Sequence, residues 1–262
     1  MALFSFLKQP QKKIPEAKSS ILGMILLAEN HALDMEAVVG ALENKWALKI
    51  ASKATGEEAS VLHIDGYQIA IASVPMPIPG EEIQETAAYN YFWENGPEEA
   101  TKHKGHIILS IQQAGKNPIK ENMLFNQVAS SILEHSQSIG IYMGSRTLLL
   151  KKDFYLANTA GISAEHLPLY NWIYFGVRQE NEGLSIYTYG LRDFGKEEME
   201  IINSKKPFEE LNGMMYNLAH YVLASNVTLK DGATIGISAE QKLKITASKG
   251  QFLEGMTLKI AY

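Results

Sequence analysis

The residues with the clearest chemical potential lie in one short segment, residues 187–201. Its pattern predicts a strand that ends at Gly190, a turn, and a second strand that begins at Glu197. Successive side chains of a strand alternate between its two faces, so Glu198 and Glu200 are expected on one face. Neighbouring carboxylates raise each other's pKa or recruit a cation. We therefore expect a carboxylate pair at this hairpin that can bind a cationic group or exchange protons.

Charged and aromatic neighbours extend the carboxylate pair into a candidate binding set. Arg192 and Lys196 lie in the turn, where either cation can reach the gap between the carboxylates. Tyr187 and Tyr189 of the preceding strand supply aromatic rings. The predicted binding residues are Tyr187, Tyr189, Arg192, Lys196, Glu198 and Glu200. A solvated acidic strand face with a salt bridge inside the hairpin is the alternative interpretation of the same residues.

Other chemistries lack a complete motif. His103 and His106 are three residues apart at a strand entry, which directs their rings to opposite faces, and no third ligand follows at a metal-site spacing. Ser145 follows a glycine, but Thr147 replaces the second glycine of a nucleophile elbow. Glycine-rich phosphate-binding loops do not occur either. We therefore predict no catalytic residue, no metal site and no cofactor.

The composition excludes several classes of protein. The 262 residues contain no cysteine, which excludes disulfides, cysteine-ligated metals and thiol nucleophiles. With 24 Lys and Arg against 29 Asp and Glu, the net charge of -5 argues against a nucleic-acid partner. No stretch reaches the roughly 18 apolar residues of a membrane span. Basic residues follow the apolar residues 2–7 instead of preceding them, the reverse of a secretory signal. We expect a cytoplasmic protein.

The first part of the chain predicts alternating strands and helices. The apolar run of residues 21–28 is typical of a strand buried on both faces, and Asp34 is placed to cap a helix after it. Asp65-Gly66 joins two strand-like runs in a hairpin, and Pro118 begins a long helix. The resulting β-α-β-β-α-β order predicts a ferredoxin-like α+β sandwich, with helices on one face of a mainly antiparallel sheet.

The second part predicts another α+β unit, of order β-β-β-α-β-β-β. Its helix, residues 208–224, has one apolar side, and its last strand covers residues 256–261. We therefore divide the chain into a flexible N-terminal lead (1–20), a ferredoxin-like unit (21–150) and a C-terminal unit (151–262). A single merged domain is the alternative.

The motif G-L-x-x-F-G-K-x-E-x-E-I at residues 190–201, with D-G-x-T-I-G at residues 231–236, resembles a family of uncharacterised bacterial proteins that carry a C-terminal domain of unknown function. Residues 21–42 are similar to the opening of that family. A more remote likeness, a glycine–aromatic turn that enters an E-x-E strand, is to Suppressor-of-fused-like proteins, some of which resemble bacterial immunity proteins. That likeness implies a binding module whose acidic surface meets a partner.

Three functional hypotheses follow from the sequence. The favoured one is a binding or interaction protein with an unknown protein partner and an acidic hairpin surface. The alternative is a small-molecule or hydrolytic enzyme that uses Glu198, Glu200 and a histidine, His106 or His220, in a cleft between the halves. The third is a homodimer in which the strand of residues 256–261 pairs edge to edge with its copy.

Overall fold

A computed structural model describes residues 20–180, 182–236 and 242–262. All but the last residue of the predicted N-terminal lead lies outside these ranges. The described chain has the predicted α+β fold, with two mainly antiparallel sheets. The first sheet contains β1 (Ser20–Leu27), β2 (Ile50–Thr55), β3 (Ala59–Ile64), β4 (Tyr67–Val74), β5 (Gly105–Gln112), β6 (Ser138–Met143) and β7 (Leu148–Lys151). The strand order is β2-β3-β4-β5-β1-β6-β7, and every pair is antiparallel.

The second sheet has six strands in the order β11-β12-β13-β10-β9-β8. They are β8 (Tyr174–Glu180), β9 (Gly183–Tyr189), β10 (Met199–Ser204), β11 (Thr234–Gly236), β12 (Lys242–Lys249) and β13 (Met256–Ile260). One pair, β10 with β13, is parallel. Because β13 is hydrogen-bonded on both sides, the predicted dimer through residues 256–261 is wrong: that strand has no free edge.

The helices cover both faces of the first sheet and one face of the second. They are α1 (Met35–Asn44), α2 (Glu82–Ala88), α3 (Gly96–Ala100), α4 (Pro118–Glu134), α5 (Lys152–Thr159), α6 (Leu169–Trp172) and α7 (Phe208–Ala224). In the first sheet α1, α4 and α5 share one core, whereas α2 and α3 pack on the opposite face around Leu26 and Tyr142. The predicted restriction of helices to one face is therefore wrong for this sheet. In the described ranges, no helix has the length and apolar character needed to cross a membrane.

The predicted β-α-β-β-α-β order of the first half does not hold, because β2 inserts an additional strand after α1. The residues of β2 are exposed apart from half-buried Ile50, so they carry no apolar alternation that would predict a strand. A split β-α-β unit is nevertheless present. It consists of β5, α4 and β6, with β1 inserted between the two strands.

Local signals that the sequence displays are confirmed at three places. The side chain of Asp34 accepts a hydrogen bond from the backbone N–H of Ala37 (3.0 Å) and caps α1. Asn117 caps α4 in the same way. Asp65 and Gly66 have φ values of 53° and 82°, the positive pair that a tight hairpin turn requires. Each of these features depends only on residues close in sequence.

A buried polar cluster around Asn126 joins the two halves of the chain. Asn126 is fully buried on α4. Its Oδ1 accepts hydrogen bonds from the Tyr155 hydroxyl (3.1 Å) and from Trp172 Nε1 (3.0 Å), and its Nδ2 donates to Thr159 Oγ1 (2.6 Å). Trp172 belongs to the core of the second sheet, so this amide links both cores. The division into domains at residue 150 stays a prediction.

We expect Asn126→Ala to destabilise the protein by about 2–4 kcal/mol, because it leaves the buried donors of Tyr155 and Trp172 without an acceptor. The matched control is Asn44→Ala, which removes an exposed side chain whose one hydrogen bond within the described ranges is to the carbonyl of Gly40. Urea denaturation measures both free energies of unfolding. Equal losses in the two variants would show that the cluster contributes no more than a surface amide.

Candidate functional site

The predicted hairpin between β9 and β10 is present. Its connection is a 3₁₀ turn, Leu191–Phe194, flanked by Gly190 and Gly195 with positive φ values of 126° and 68°. Glu200 of β10 lies opposite Tyr187 of β9. The segment therefore has the strand–turn–strand form that the sequence predicts, and the positions of its charged side chains decide what it can do.

Glu198 is buried and binds the turn. It is 1% exposed. Its carboxylate accepts hydrogen bonds from Thr188 Oγ1 (2.7 Å) and from the backbone N–H groups of Gly190 (2.8 Å) and Arg192 (3.2 Å). Burial penalises the charged form and raises the pKa of Glu198, and these hydrogen bonds offset only part of that effect. The side chain holds the turn together from inside.

Glu200 is also buried, but it binds a different part of the chain. It is 0% exposed. Its carboxylate accepts hydrogen bonds from the backbone N–H groups of Gln251 and Phe252 and from Thr257 Oγ1, and it pairs with Lys259 Nζ at 2.6 Å. Burial alone would raise the pKa of Glu200, but the donors, led by Lys259, lower it below its ordinary value. This carboxylate fixes the loop between β12 and β13.

The predicted acidic hairpin surface is therefore corrected. Among the residues that the structure describes, Glu198 and Glu200 share no hydrogen-bond partner, and both are enclosed by the donors that bind them. Burial of a carboxylate requires such donors, because an unpaired buried charge is very costly. The two carboxylates consequently offer neither an exposed acidic face nor a free proton acceptor.

The two predicted cations are also engaged elsewhere. Arg192 Nη2 donates to the backbone carbonyls of Glu254 (3.0 Å) and Met256 (3.1 Å), which joins the turn to the start of β13. Lys196 is buried and donates from Nζ to Asn226 Oδ1 (2.8 Å) just beyond the C-terminus of α7. Burial lowers the pKa of Lys196. Neither cation occupies a gap between the carboxylates.

The predicted tyrosines lie on the outer face of the second sheet, which we define as the face opposite α7. Tyr187 is 7% exposed, and its ring stacks on Phe252 with a centroid distance of 5.4 Å. The ring also covers Gly176 on β8, where an added Cβ would lie 2.1 Å from Tyr187 Cζ. A side chain at position 176 would thus displace the ring. Tyr189, at the end of β9, is half-buried beside Tyr174.

A cation and an aromatic ring that the sequence analysis did not select adjoin Tyr187. Arg178 is exposed on β8, and its guanidinium carbon lies 5.5 Å from the centre of the Tyr89 ring. Tyr89 is 51% exposed. Burial raises the pKa of Tyr174 to about 12, against the opposing effect of Arg178. We call these four residues, Tyr89, Tyr174, Arg178 and Tyr187, the tyrosine–arginine surface.

Only weak sequence signals mark this surface. Tyr174, Gly176 and Arg178 are spaced by two, which places them on one face of a strand. Tyr89 lies far away in sequence, in the segment after α2. No local spacing joins the two groups, so only the three-dimensional fold reveals the surface.

The enzyme alternative requires a cleft lined by Glu198, Glu200 and a histidine, but the cavity beside the hairpin turn is lined by other residues. A cavity of about 210 Å³ lies where Asp193 meets the first sheet. In it Arg146 Nε pairs with Asp193 Oδ2 at 2.9 Å, and Arg146 Nη1 donates to Asn122 Oδ1 at 2.7 Å. The described lining contains none of the residues proposed for the enzyme: Glu198, Glu200, His106 and His220. Across the described ranges, no three His, Asp or Glu side chains are grouped to hold a metal ion.

We expect Glu200→Gln to lower the free energy of unfolding at neutral pH by about 1.5–3 kcal/mol, because the amide cannot replace the charged acceptor of Lys259. Glu198→Gln is the matched control. Its amide oxygen can still accept the turn N–H groups, and the raised pKa shows that ionisation is unfavourable there. We therefore expect a loss below about 1 kcal/mol. Urea denaturation of both variants measures the difference, and an equal loss would contradict it.

The two carboxylates should also give opposite pH dependences. The pKa of Glu200 is lowered from 4.5, so its contribution is present above pH 4.5 and disappears as the pH falls through the folded-state pKa. The pKa of Glu198 is raised from 4.5, so wild type loses stability relative to Glu198→Gln as the pH rises above 4.5. Unfolding free energies measured from about pH 3 to 8 test both signs. Parallel curves for the two variants would refute this assignment.

Comparison with known proteins identifies one part of the chain. Residues 187–261 match a protein-family model described as a domain of unknown function (DUF4261). No curated protein and no solved structure matches the chain. The family match covers the hairpin, the loop that Glu200 binds and β13, so it supports, for this segment, a family of domains whose function is uncharacterised.

Proposed function

We propose that this chain is a binding protein that recognises a protein partner through the tyrosine–arginine surface. The observation that carries the proposal is the exposed Arg178, which lies over the half-exposed ring of Tyr89 and beside Tyr187. Tyrosine and arginine are the residues most enriched among the energetically dominant positions of protein interfaces. This composition supports a binding role better than it supports catalysis.

The surface is held in place by contacts within the chain. The Tyr174 hydroxyl donates to the backbone carbonyl of Tyr89 (3.1 Å), and the Tyr91 hydroxyl donates to the carbonyl of Phe175 (3.0 Å). The segment that carries Tyr89 is thereby attached to β8. A side chain that is already ordered loses less conformational entropy when a partner binds, which favours affinity.

An immunity role, in which the partner is a toxin in a bacterial cytoplasm, is the specific form of this proposal that the Suppressor-of-fused-like resemblance suggests. Its recognition group would be the tyrosine–arginine surface in place of the acidic hairpin. The enzyme alternative has no comparable support, because both of its carboxylates are enclosed by donors from the chain itself.

We expect Tyr89→Ala and Arg178→Ala each to weaken partner binding at least tenfold, which corresponds to about 1.4 kcal/mol. The partner is isolated by affinity capture from extracts of the native cells, purified and titrated against each variant by calorimetry. Both side chains are exposed, so the variants should unfold at the wild-type urea concentration.

The control is Tyr221→Ala, which removes a tyrosine of similar exposure (45%) from α7. It should bind like wild type. A captured protein that binds the Tyr89 and Arg178 variants with unchanged affinity would contradict the proposed surface. Failure of the folded wild-type protein to retain any partner at a stoichiometric level would contradict the binding role itself.

A further inference from the structure

We infer that the tyrosine–arginine surface recognises an acidic segment of its protein partner, with a carboxylate of that segment seated on Arg178. This inference rests on the proposed function and specifies the chemistry of the partner. It reverses the sign of the charge that the sequence predicts for the binding surface. The residues that face the partner are a cation and aromatic rings, whereas the sequence predicted acidic residues.

The first argument is that the charge of Arg178 is not neutralised within the chain. In the described ranges Arg178 takes part in no salt bridge. Two carboxylates lie on the outer face near this strand, and neither is paired with Arg178. Glu180 accepts hydrogen bonds from Ser185 Oγ (2.8 Å) and Gln251 Nε2 (3.1 Å), and Glu200 pairs with Lys259. The guanidinium therefore remains available for an external anion.

The second argument concerns the groups that surround the guanidinium. Burial raises the pKa of both Tyr174 and Tyr187, so their hydroxyls stay neutral at physiological pH and add no negative charge beside Arg178. An aromatic ring under one face of a guanidinium leaves its N–H edge accessible. Part of that edge hydrogen-bonds the Tyr187 side chain, and the remaining N–H groups can meet a carboxylate. A carboxylate matches that edge with two parallel hydrogen bonds, whereas a partner cation would be repelled.

The third argument is the position of Arg178 on an edge strand. β8 is paired with β9 on one side and ends the second sheet on the other. The segment after α2 contacts this strand at Tyr174, whose hydroxyl donates to the Tyr89 carbonyl, and at Phe175, whose carbonyl accepts from the Tyr91 hydroxyl. Arg178 lies beyond those contacts. An extended peptide can approach such an edge and place alternate side chains on the outer face. The geometry accordingly fits a peptide segment of a protein.

A displayed library of random, unphosphorylated peptides tests the inference directly. We expect peptides selected on the intact wild-type protein to be enriched in Asp and Glu. The charge-reversal variant Arg178→Glu should lose these peptides and select Lys and Arg instead, while Tyr221→Ala should select the same peptides as wild type. Arg178→Gln, which keeps size and polarity, should bind the wild-type peptides at least tenfold more weakly.

A double-mutant cycle then localises the contact. Replacing the enriched Glu of a synthetic peptide by Gln should weaken its binding to wild type at least tenfold, but less than threefold to Arg178→Gln. If the Glu-to-Gln change in the peptide weakened its binding to wild type and to Arg178→Gln by the same factor, the assignment of the contact to Arg178 would be overturned.

The outcomes also separate this inference from the proposed function. Peptides that require Tyr89 but show no acidic enrichment would overturn the acidic-partner inference and leave the binding surface intact. If wild type selected nothing above the level of Tyr89→Ala, both would be contradicted. The changed side chains are exposed, so we expect every variant to fold. A thermal unfolding curve for each variant checks this.

Discussion

The ionised carboxylate of Glu200, buried under the β12–β13 loop, organises the outer face of the second sheet. A charge without solvent must be matched by donors, and here the donors come from Gln251, Phe252, Thr257 and Lys259. The hydrogen bond from its N–H to Glu200 fixes the backbone of Phe252, whose ring stacks on Tyr187. The buried charge thereby connects the β12–β13 loop to the Tyr187 ring on β9, which lies two strands from β13 in the sheet.

Sheet geometry extends this arrangement to Arg178. The Tyr187 ring lies over Gly176, so the glycine provides the space that the stacked ring needs. The next residue on the same face of β8 is Arg178, which Tyr89 supports from the other side. In the described ranges the guanidinium is therefore held by the Tyr89 ring and the Tyr187 side chain, and by no salt bridge. That distinction matters for function, because an arginine paired with a carboxylate of its own chain would have to exchange that partner for an external anion.

Features with local causes could be predicted, and features with distant causes could not. The cap at Asp34, the turn at Asp65 and the bounds of α7 follow from a few neighbouring residues, and the structure confirms them. The strand β2 escaped prediction because its exposed residues carry no apolar period. Sheet order escaped it as well, since β1 pairs with β5 and β6 rather than with its sequence neighbours.

The distinction between local and distant causes also explains which features of the hairpin segment could be predicted. Strand periodicity correctly identified a hairpin, but it could not show whether Glu198 and Glu200 face solvent, because the donors that enclose Glu200 lie more than fifty residues away. A paired acidic motif therefore has two physical meanings: exposed, it attracts a cationic partner; buried, it attracts the chain's own N–H groups. Here the second meaning applies, and both carboxylates accept hydrogen bonds from N–H and O–H groups of the chain itself. Arg178, which forms no salt bridge in the described ranges and lies over the Tyr89 ring, keeps its charge for a partner.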